Sequence, residues 1–120
     1  MSIIQNIEVN NHEDLISTLI QIESTGNPDA IGDNGKAYGI LQIRQDCLVD
    51  VNKANGTEYK LDDVLGEKGV ELSKWVFNEY MKIYATEKRL GRKVTDEDRA
   101  RIWNGGPSGY KKSGTRGYAY

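Results

Sequence analysis

The sequence predicts a mainly α-helical fold, built as a single compact helical domain over residues 1–120 with a loop or short hairpin between its first two helices. The length of 120 residues fits one domain that can bury a core without disulfides or a metal. Apolar residues recur at helical spacing in several segments, and a glycine-rich stretch separates the first two of these segments. These observations together favour helices over an extended sheet.

The first helix is predicted from about His12 to Glu23. Asn11 precedes it as a favourable N-cap residue, and Gly26-Asn27-Pro28 ends it because proline cannot continue a helix. The apolar positions that define its buried face are Leu15, Ile16, Leu19, Ile20 and Ile22.

The following residues, 29–38, predict a loop with a short hairpin, because they contain Gly32, Gly35 and the turn dipeptide Asn34-Gly35. A second helix is predicted from about Ile40 to Lys53. Its apolar positions are Ile40, Leu41, Ile43, Cys47, Leu48 and Val51.

The second half of the chain also has helical periodicity. Residues Leu61 to Val64 predict a short helical turn, and Glu67 to Leu90 predict one long amphipathic helix that Gly91 terminates. A last helix is predicted to begin at Thr95, which forms a capping box with Asp98, and to end at about Trp103.

Composition excludes several classes of function. The chain has 16 basic and 18 acidic residues and a net charge of -2, which argues against a nucleic-acid-binding protein. No apolar stretch is long enough for a membrane span, and the N-terminus is not typical of a signal peptide. The single cysteine, Cys47, is predicted to be a buried structural thiol. No cofactor is expected, and no residue pattern predicts a zinc, calcium or phosphate site.

Glu23 is a candidate for chemistry because it lies at the C-terminal end of an apolar helix. The helix dipole disfavours a negative charge there, and burial would raise the carboxyl pKa further. A raised pKa suits a general acid at neutral pH. Taken alone, however, a glutamate at a helix end is usually a solvated residue.

Three further motifs follow Glu23 in a characteristic order. They resemble the series of soluble lytic transglycosylases, which reads Glu-Ser, Gly-Leu-Met-Gln, Ala-Tyr-Asn-Ala-Gly and Thr-x-x-Tyr-Val, and whose core goose-type lysozymes share. The resemblance covers roughly residues 15 to 119 and implies a lysozyme-like fold. The corresponding residues here are Glu23-Ser24, Gly39-Ile40-Leu41-Gln42, Ile102-Trp103-Asn104-Gly105-Gly106 and Thr115-Arg116-Gly117-Tyr118-Ala119.

The resemblance implies a role for each matched residue. Glu23 would be the catalytic acid and base, and Tyr118 would hold its carboxyl group. Gly39 would let the backbone approach the sugar. The residues implied to line or contact the saccharide are Ser24, Tyr38, Gln42, Trp103 and Asn104. Trp103 replaces the tyrosine of the family and Gly105 its alanine, so any role of that tyrosine hydroxyl is lost.

The implied reaction is cleavage of the β-1,4 bond between N-acetylmuramic acid and N-acetylglucosamine. A lytic transglycosylase needs one carboxylate, whereas hydrolysis with inversion needs a second one about 6.5–9.5 Å away to activate water. Asp33 is the candidate second carboxylate, in a context that resembles the goose-type lysozyme loop. The other acidic position of that family is Arg44 here, which favours the transglycosylase. Asp33 as a simple turn residue is the alternative.

Other functions remain open at this stage. A wall-binding or virion structural module without turnover would keep the same fold, and a chitin-directed glycosidase would recognise similar N-acetyl sugars. The expected partner is the peptidoglycan glycan strand, bound by a monomer. The absence of a signal peptide or a wall-binding module suits a bacteriophage endolysin or a virion-associated enzyme, while a domain cut from a larger secreted protein is the alternative.

Overall fold

A computed structural model describes residues 12–111 of the chain, and the fold is mainly α-helical, as the sequence predicts. The helices and strands in this range are α1 Glu13–Ser24, β1 Ile31–Gly32, β2 Ala37–Tyr38, α2 Gln45–Asn55, α3 Val70–Tyr84, α4 Glu87–Leu90 and α5 Asp96–Gly105. Three single turns of 3-10 helix accompany them, at Leu61–Val64, Glu67–Gly69 and Gly109–Lys111. The first of these turns confirms the short helical turn predicted there.

Helix α1 matches its prediction except at the N-terminal cap. The cap residue is His12, which has a left-handed conformation (φ 53°) and makes no side-chain capping bond. The predicted cap, Asn11, lies outside the described residues. The helix ends where Thr25 turns left-handed and donates its backbone N–H to the Gln21 carbonyl. The chain is thereby redirected just before Gly26 and Pro28.

The predicted hairpin is present between α1 and α2. Strands β1 and β2 pair antiparallel, with Ile31 opposite Tyr38 and Gly32 opposite Ala37. The turn between them contains Asp33 and Asn34 in left-handed conformations (φ 53° and 58°), which Asp and Asn tolerate better than most residues. The hairpin therefore depends on the turn chemistry that its sequence carries.

The second helix begins at Gln45 and not at Ile40, so its predicted start was wrong by five residues. The segment before it folds back on β2, and Tyr38 and Ile43 exchange two backbone hydrogen bonds of 2.9 and 2.8 Å. Gly39 and Gln42 turn the chain through positive φ values of 82° and 54°. The apolar residues in this turn are buried as a helix would bury them, so periodicity alone could not separate the two conformations.

The long helix predicted over Glu67–Leu90 was also wrong, because it is not continuous: the 3-10 turn Glu67–Gly69 leads directly into α3, but a break after Tyr84 separates α3 from α4. At this break Thr86 is extended, and its hydroxyl accepts a hydrogen bond from the Arg89 backbone N–H. Thr86 thus begins a new helix, α4. Gly91 terminates it, as predicted, and has a left-handed conformation (φ 77°). Hydrophobic periodicity continues across this cap, which explains the error.

The chain divides into two compact units after Asn78, at a point within α3. The first unit contains α1, the hairpin and α2. Cys47 belongs to this unit, and its thiol is buried, as predicted. Burial and the nearby charges of Asp46 and Asp50 raise the pKa of this thiol, so the thiolate is disfavoured. The fully buried apolar side chains of the first unit are Leu15, Ile16, Leu19, Leu41, Ile43, Leu48, Val51, Val64, Val76 and Phe77.

Buried residues of the second unit include Tyr80, Met81, Ala100 and Ile102. No helix between residues 12 and 111 is long and apolar enough to cross a membrane. In the same part of the chain, no group of three or more histidine, cysteine or acidic side chains is arranged to hold a metal ion.

The start of α5 is stabilised by a network around Asp98. Thr95 and Asp98 form the predicted capping box, and Arg92 donates to both carboxylate oxygens at 2.6 and 2.7 Å. The Arg92 hydrogen bonds lower the pKa of Asp98 to about 2 despite its burial. The ionised carboxylate therefore stabilises the folded state above pH 4, and this contribution is lost as pH falls towards 2.

Replacing Asp98 with alanine is expected to lower the free energy of unfolding at pH 7 by about 2 kcal/mol, because both the cap and the buried half of an ion pair are lost. Asp96→Ala is the matched control, since Asp96 lies in the same helical turn and pairs with Arg99, but its own carboxylate is half exposed. Its expected loss is at most about 0.5 kcal/mol. Urea unfolding measures both, and equal losses would contradict the assigned role of Asp98.

Candidate active site around Glu23

Glu23 lies in the last turn of α1, with its side chain half-buried. Burial raises the pKa of its carboxyl group to about 7, and the positive charge of Arg44 partly opposes this rise. The last turn of α1 contains no basic residue to stabilise a carboxylate. Glu23 can therefore hold a proton close to neutral pH and release it there, which is the property expected of a general acid and base.

Ser24 connects the end of α1 to the turn that follows β2. Its hydroxyl donates to the Ile40 carbonyl at 2.8 Å, and it accepts a bond from the Gly26 backbone N–H at 3.2 Å. The same hydroxyl also lies 3.2 Å from the Ile20 carbonyl within the helix. Ser24 thus fixes the backbone on both sides of Glu23 and holds it against the Gly39–Gln42 turn.

Gln42 fixes the same turn from its other side. Its Nε2 donates to the carbonyls of Ala30 and Gly39 at 3.1 and 2.9 Å, so both amide hydrogens are used within the protein. Its Oε1 lies against Gly32, where an added Cβ would come within 2.5 Å of it. The sequence predicts that Gln42 contacts sugar. Because both of these hydrogen bonds use Nε2, Oε1 is the side-chain group that remains for such a contact.

Gly39 has a structural reason for being glycine. Its φ of +82° is in the left-handed region, and a Cβ there would lie 2.5 Å from the Val64 carbonyl oxygen. Its backbone N–H donates to the Ala30 carbonyl at 2.8 Å. The observed close approach is therefore to the protein backbone. The neighbouring Tyr38 is half-buried at the end of β2.

Asp33, the candidate second carboxylate, lies in the hairpin turn and forms an ion pair with Arg44. Both side chains are about half exposed, at 44% for Asp33 and 52% for Arg44. Arg44 also acts electrostatically on Glu23. The structure thus connects Glu23, Arg44 and Asp33 into one charged group. The sequence marks Arg44 only as a departure from the lysozyme pattern and contains no local signal that pairs it with Asp33.

The Trp103-Asn104 motif belongs to the second unit, in the last turn of α5. Trp103 packs edge-on against Tyr80, with ring centroids 5.7 Å apart, and Tyr80 in turn contacts Tyr84 at 4.9 Å. Trp103 is half-buried and Asn104 is exposed. Tyr118 and the Thr115 motif lie outside the described residues.

Sequence reasoning missed Arg89, which lies in the last turn of the short helix α4. Its guanidinium donates to the carbonyls of Tyr84 and Pro107 at 2.9 and 2.8 Å. The same group lies 5.3 Å from the Tyr84 ring centroid and 6.0 Å from that of Tyr110. Arg89 therefore holds the turn that follows the Asn104 motif.

The sequence also matches a protein-family model. The model of the transglycosylase SLT domain matches residues 2–101. The chain belongs to the transglycosylase SLT domain family. No match was found among curated proteins.

Membership of the SLT family gives this chain a transglycosylase-type activity on peptidoglycan at the level of the family. The matched range includes Glu23, Ser24, Asp33, Gln42 and Arg44, and ends before Trp103. The roles of Trp103, Asn104 and Tyr118 therefore depend on the motif resemblance alone.

Proposed function

We propose that this SLT-family protein is a peptidoglycan lytic transglycosylase that cleaves the β-1,4 bond between N-acetylmuramic acid and N-acetylglucosamine, with Glu23 as its general acid and base. The observation that carries the proposal is the environment of Glu23. A half-buried carboxyl group whose pKa is raised to about 7 can both donate and accept a proton near neutral pH.

The proposed reaction has two proton transfers through the same carboxyl group. The protonated Glu23 first gives its proton to the glycosidic oxygen as the bond from that oxygen to muramyl C1 breaks, and the N-acetylglucosamine chain leaves as an alcohol. The resulting carboxylate then removes the proton from the muramyl C6 hydroxyl while that oxygen bonds to C1. The product is a 1,6-anhydro ring, Glu23 is protonated again, and no water is consumed.

The state of Asp33 favours this route over hydrolysis. Inverting hydrolysis requires a second carboxylate that binds a water molecule and takes its proton. The Asp33 carboxylate instead forms an ion pair with the Arg44 guanidinium. Glu23 needs no second carboxylate for the intramolecular route. Asp33 keeps a hydrolytic role only if that ion pair opens on substrate binding.

The remaining site residues have supporting roles in the proposal. Ser24 and Gln42 hold the backbone beside Glu23, and Oε1 of Gln42 accepts a sugar hydroxyl. Tyr38 packs against the saccharide, which its partial exposure at the end of β2 permits. As the motif resemblance implies, we propose that Trp103 and Asn104 contribute to sugar binding. Tyr118 is proposed to hold the Glu23 carboxyl group.

Analysis of the reaction products tests the proposal most directly. Purified peptidoglycan is digested in isotopically labelled water, and the muramyl ends are examined by mass spectrometry. We expect anhydro-muramyl ends without label, because the ring oxygen comes from the sugar itself. Hydrated, labelled ends as the main product would replace the transglycosylase with a hydrolase.

Two controls separate the other functions. Binding to cell walls without any cleavage, unchanged in Glu23→Gln, would indicate a non-catalytic wall-binding module. Faster cleavage of chitin oligomers than of peptidoglycan would indicate a chitin-directed enzyme.

A further inference from the structure

We propose that Arg44 determines the outcome of the reaction: by holding the Asp33 carboxylate in an ion pair, it prevents Asp33 from activating water and keeps cleavage on the intramolecular route. This inference rests on the proposed function of Glu23. It assigns Arg44 as a positioning residue, which acts on product choice through Asp33.

The side chain of Arg44 does not cap helix α2. It occupies the N-cap position of α2 in an extended conformation (φ -105°, ψ 163°) and makes no capping bond with its side chain. The N-terminus of a helix carries a partial positive charge, so a cation there is unfavourable. Serine, threonine, aspartate or asparagine would cap α2 better. The presence of arginine therefore calls for a reason outside the helix.

The neighbouring backbone fixes where the Arg44 side chain begins. The preceding residue, Ile43, is fully buried and bridged to Tyr38 at the end of the hairpin. Asp33 is presented by the hairpin turn, in a left-handed conformation that few residues adopt. The ion pair thus connects two positions that the backbone of the hairpin and its bridge to Ile43 hold in place. Its half-exposed side chains remain accessible to water and to a bound glycan.

The charges around Arg44 give it a second effect. One cation acts on two carboxyl groups, Asp33 through the ion pair and Glu23 through its charge. Removing the cation would leave Asp33 without this partner. It would also raise the pKa of Glu23 above its present value, because the opposing charge is lost.

An Asp33 released in this way could act as the base for water. Its carboxylate would take one proton from a water molecule while the water oxygen bonds to muramyl C1. Glu23 would give its proton to the glycosidic oxygen as the bond to C1 breaks. The products are a hydrated muramyl end and a free N-acetylglucosamine end, and the two carboxyl groups then exchange one proton through solvent to restore the starting state.

The test compares Arg44→Gln, Arg44→Lys and the double variant Arg44→Gln/Asp33→Asn in the labelled-water digestion of peptidoglycan. For Arg44→Gln we expect the ratio of hydrated to anhydro ends to rise at least about tenfold, below the ~10²–10⁴-fold that a positioned general base supplies. The double variant is expected to return to the wild-type ratio. Arg44→Lys keeps the charge and should stay close to the wild-type ratio.

The pH profile supplies a readout that a purely structural role would not change. Cleavage requires protonated Glu23, so activity falls as pH rises through its pKa. In Arg44→Gln this alkaline limb is expected to move to higher pH, whereas in Arg44→Lys it should remain in place. A half-exposed ion pair contributes little to folding, and circular dichroism checks that each variant is folded.

The results separate failure of this inference from failure of the proposed function. If the wild type gives anhydro ends and folded Arg44→Gln gives the same product ratio, Arg44 does not control the outcome. A folded Arg44→Gln without any cleavage also overturns the inference, because Arg44 would then be needed for bond breaking itself. Hydrated ends from the wild type, or full activity in Glu23→Gln, would instead refute the proposed function.

Discussion

Replacing Glu23 with glutamine is expected to lower the rate of peptidoglycan cleavage by about 10²–10⁴-fold, the range that a general acid and base contributes. Glutamine keeps the size of the side chain and one carbonyl oxygen, but its amide cannot transfer a proton. The loss should appear in kcat, because the amide can still contact a bound glycan. Turbidity loss of cell walls and release of anhydro-muramyl ends measure it.

The same substitution should not destabilise the protein. Burial raises the pKa of Glu23 to about 7, so above that pH the folded state holds a carboxylate that water would solvate better. This cost is absent below the ordinary pKa of 4.5, grows as pH rises from there to about 7, and stays constant above that. At pH 8 we therefore expect Glu23→Gln to be more stable than wild type by roughly 1–3 kcal/mol, reduced by the partial exposure of the side chain. Near pH 4 the two proteins should unfold alike.

Glu13→Gln is the matched control for both measurements. Glu13 is an exposed residue in the first turn of the same helix, α1. Its replacement should leave the rate of cleavage unchanged and lower stability only slightly, through the helix dipole. An active Glu23→Gln would remove Glu23 from the reaction. A Glu23→Gln variant less stable than wild type at pH 8 would show that its carboxylate is stabilised and not desolvated.

The sequence predicts the helices of this fold where local signals agree with the hydrophobic period. Helix α1 ends near Pro28 and α5 begins at the Thr95 capping box, because each signal acts within a few residues of the boundary. The start of α2 was wrong for a different reason. Ile40, Leu41 and Ile43 are buried by a turn whose hydrogen bonds reach back to Ala30 and Tyr38. The hydrophobic periodicity of one segment cannot predict hydrogen bonds to residues outside that segment.

The candidate site likewise has features that the sequence predicts and features that depend on contacts between distant segments. Glu23 could be predicted as the candidate acid from its place at a helix end and from the order of the motifs, and burial raises its carboxyl pKa to about 7. The ion pair between Asp33 and Arg44 could not be foreseen, because it depends on how the hairpin turn faces the residue before α2. The internal bonds of Gln42 were hidden in the same way. The sequence identifies the polar residues of the site. The conformation of the turns determines which of them already have hydrogen-bond or ion-pair partners within the protein.

Gly39 gives this turn geometry its strictest requirement. Two properties exclude a side chain at this position: a φ of +82°, and the Val64 carbonyl oxygen, which would lie 2.5 Å from a Cβ. The first property is shared by Gly35 in the hairpin turn, which has a φ of +83° and no atom within 4 Å of an added Cβ. Comparing the same substitution at the two glycines therefore separates the energetic cost of backbone strain from the cost of close packing.

Gly39→Ala is expected to lower the free energy of unfolding by about 2–4 kcal/mol, of which about 1 kcal/mol is left-handed strain and the rest is the clash with Val64. Gly35→Ala should lose only the strain, about 1 kcal/mol, and keep its rate of cleavage within a few-fold of wild type. Because the Gly39 carbonyl accepts from Gln42, a shift of this turn also displaces the support of Glu23, so Gly39→Ala should lose activity even where it remains folded. Urea unfolding and cell-wall turbidity measure the two effects. Equal losses of stability in both variants would mean that the backbone around Val64 yields, and that the packing of this turn does not control the site.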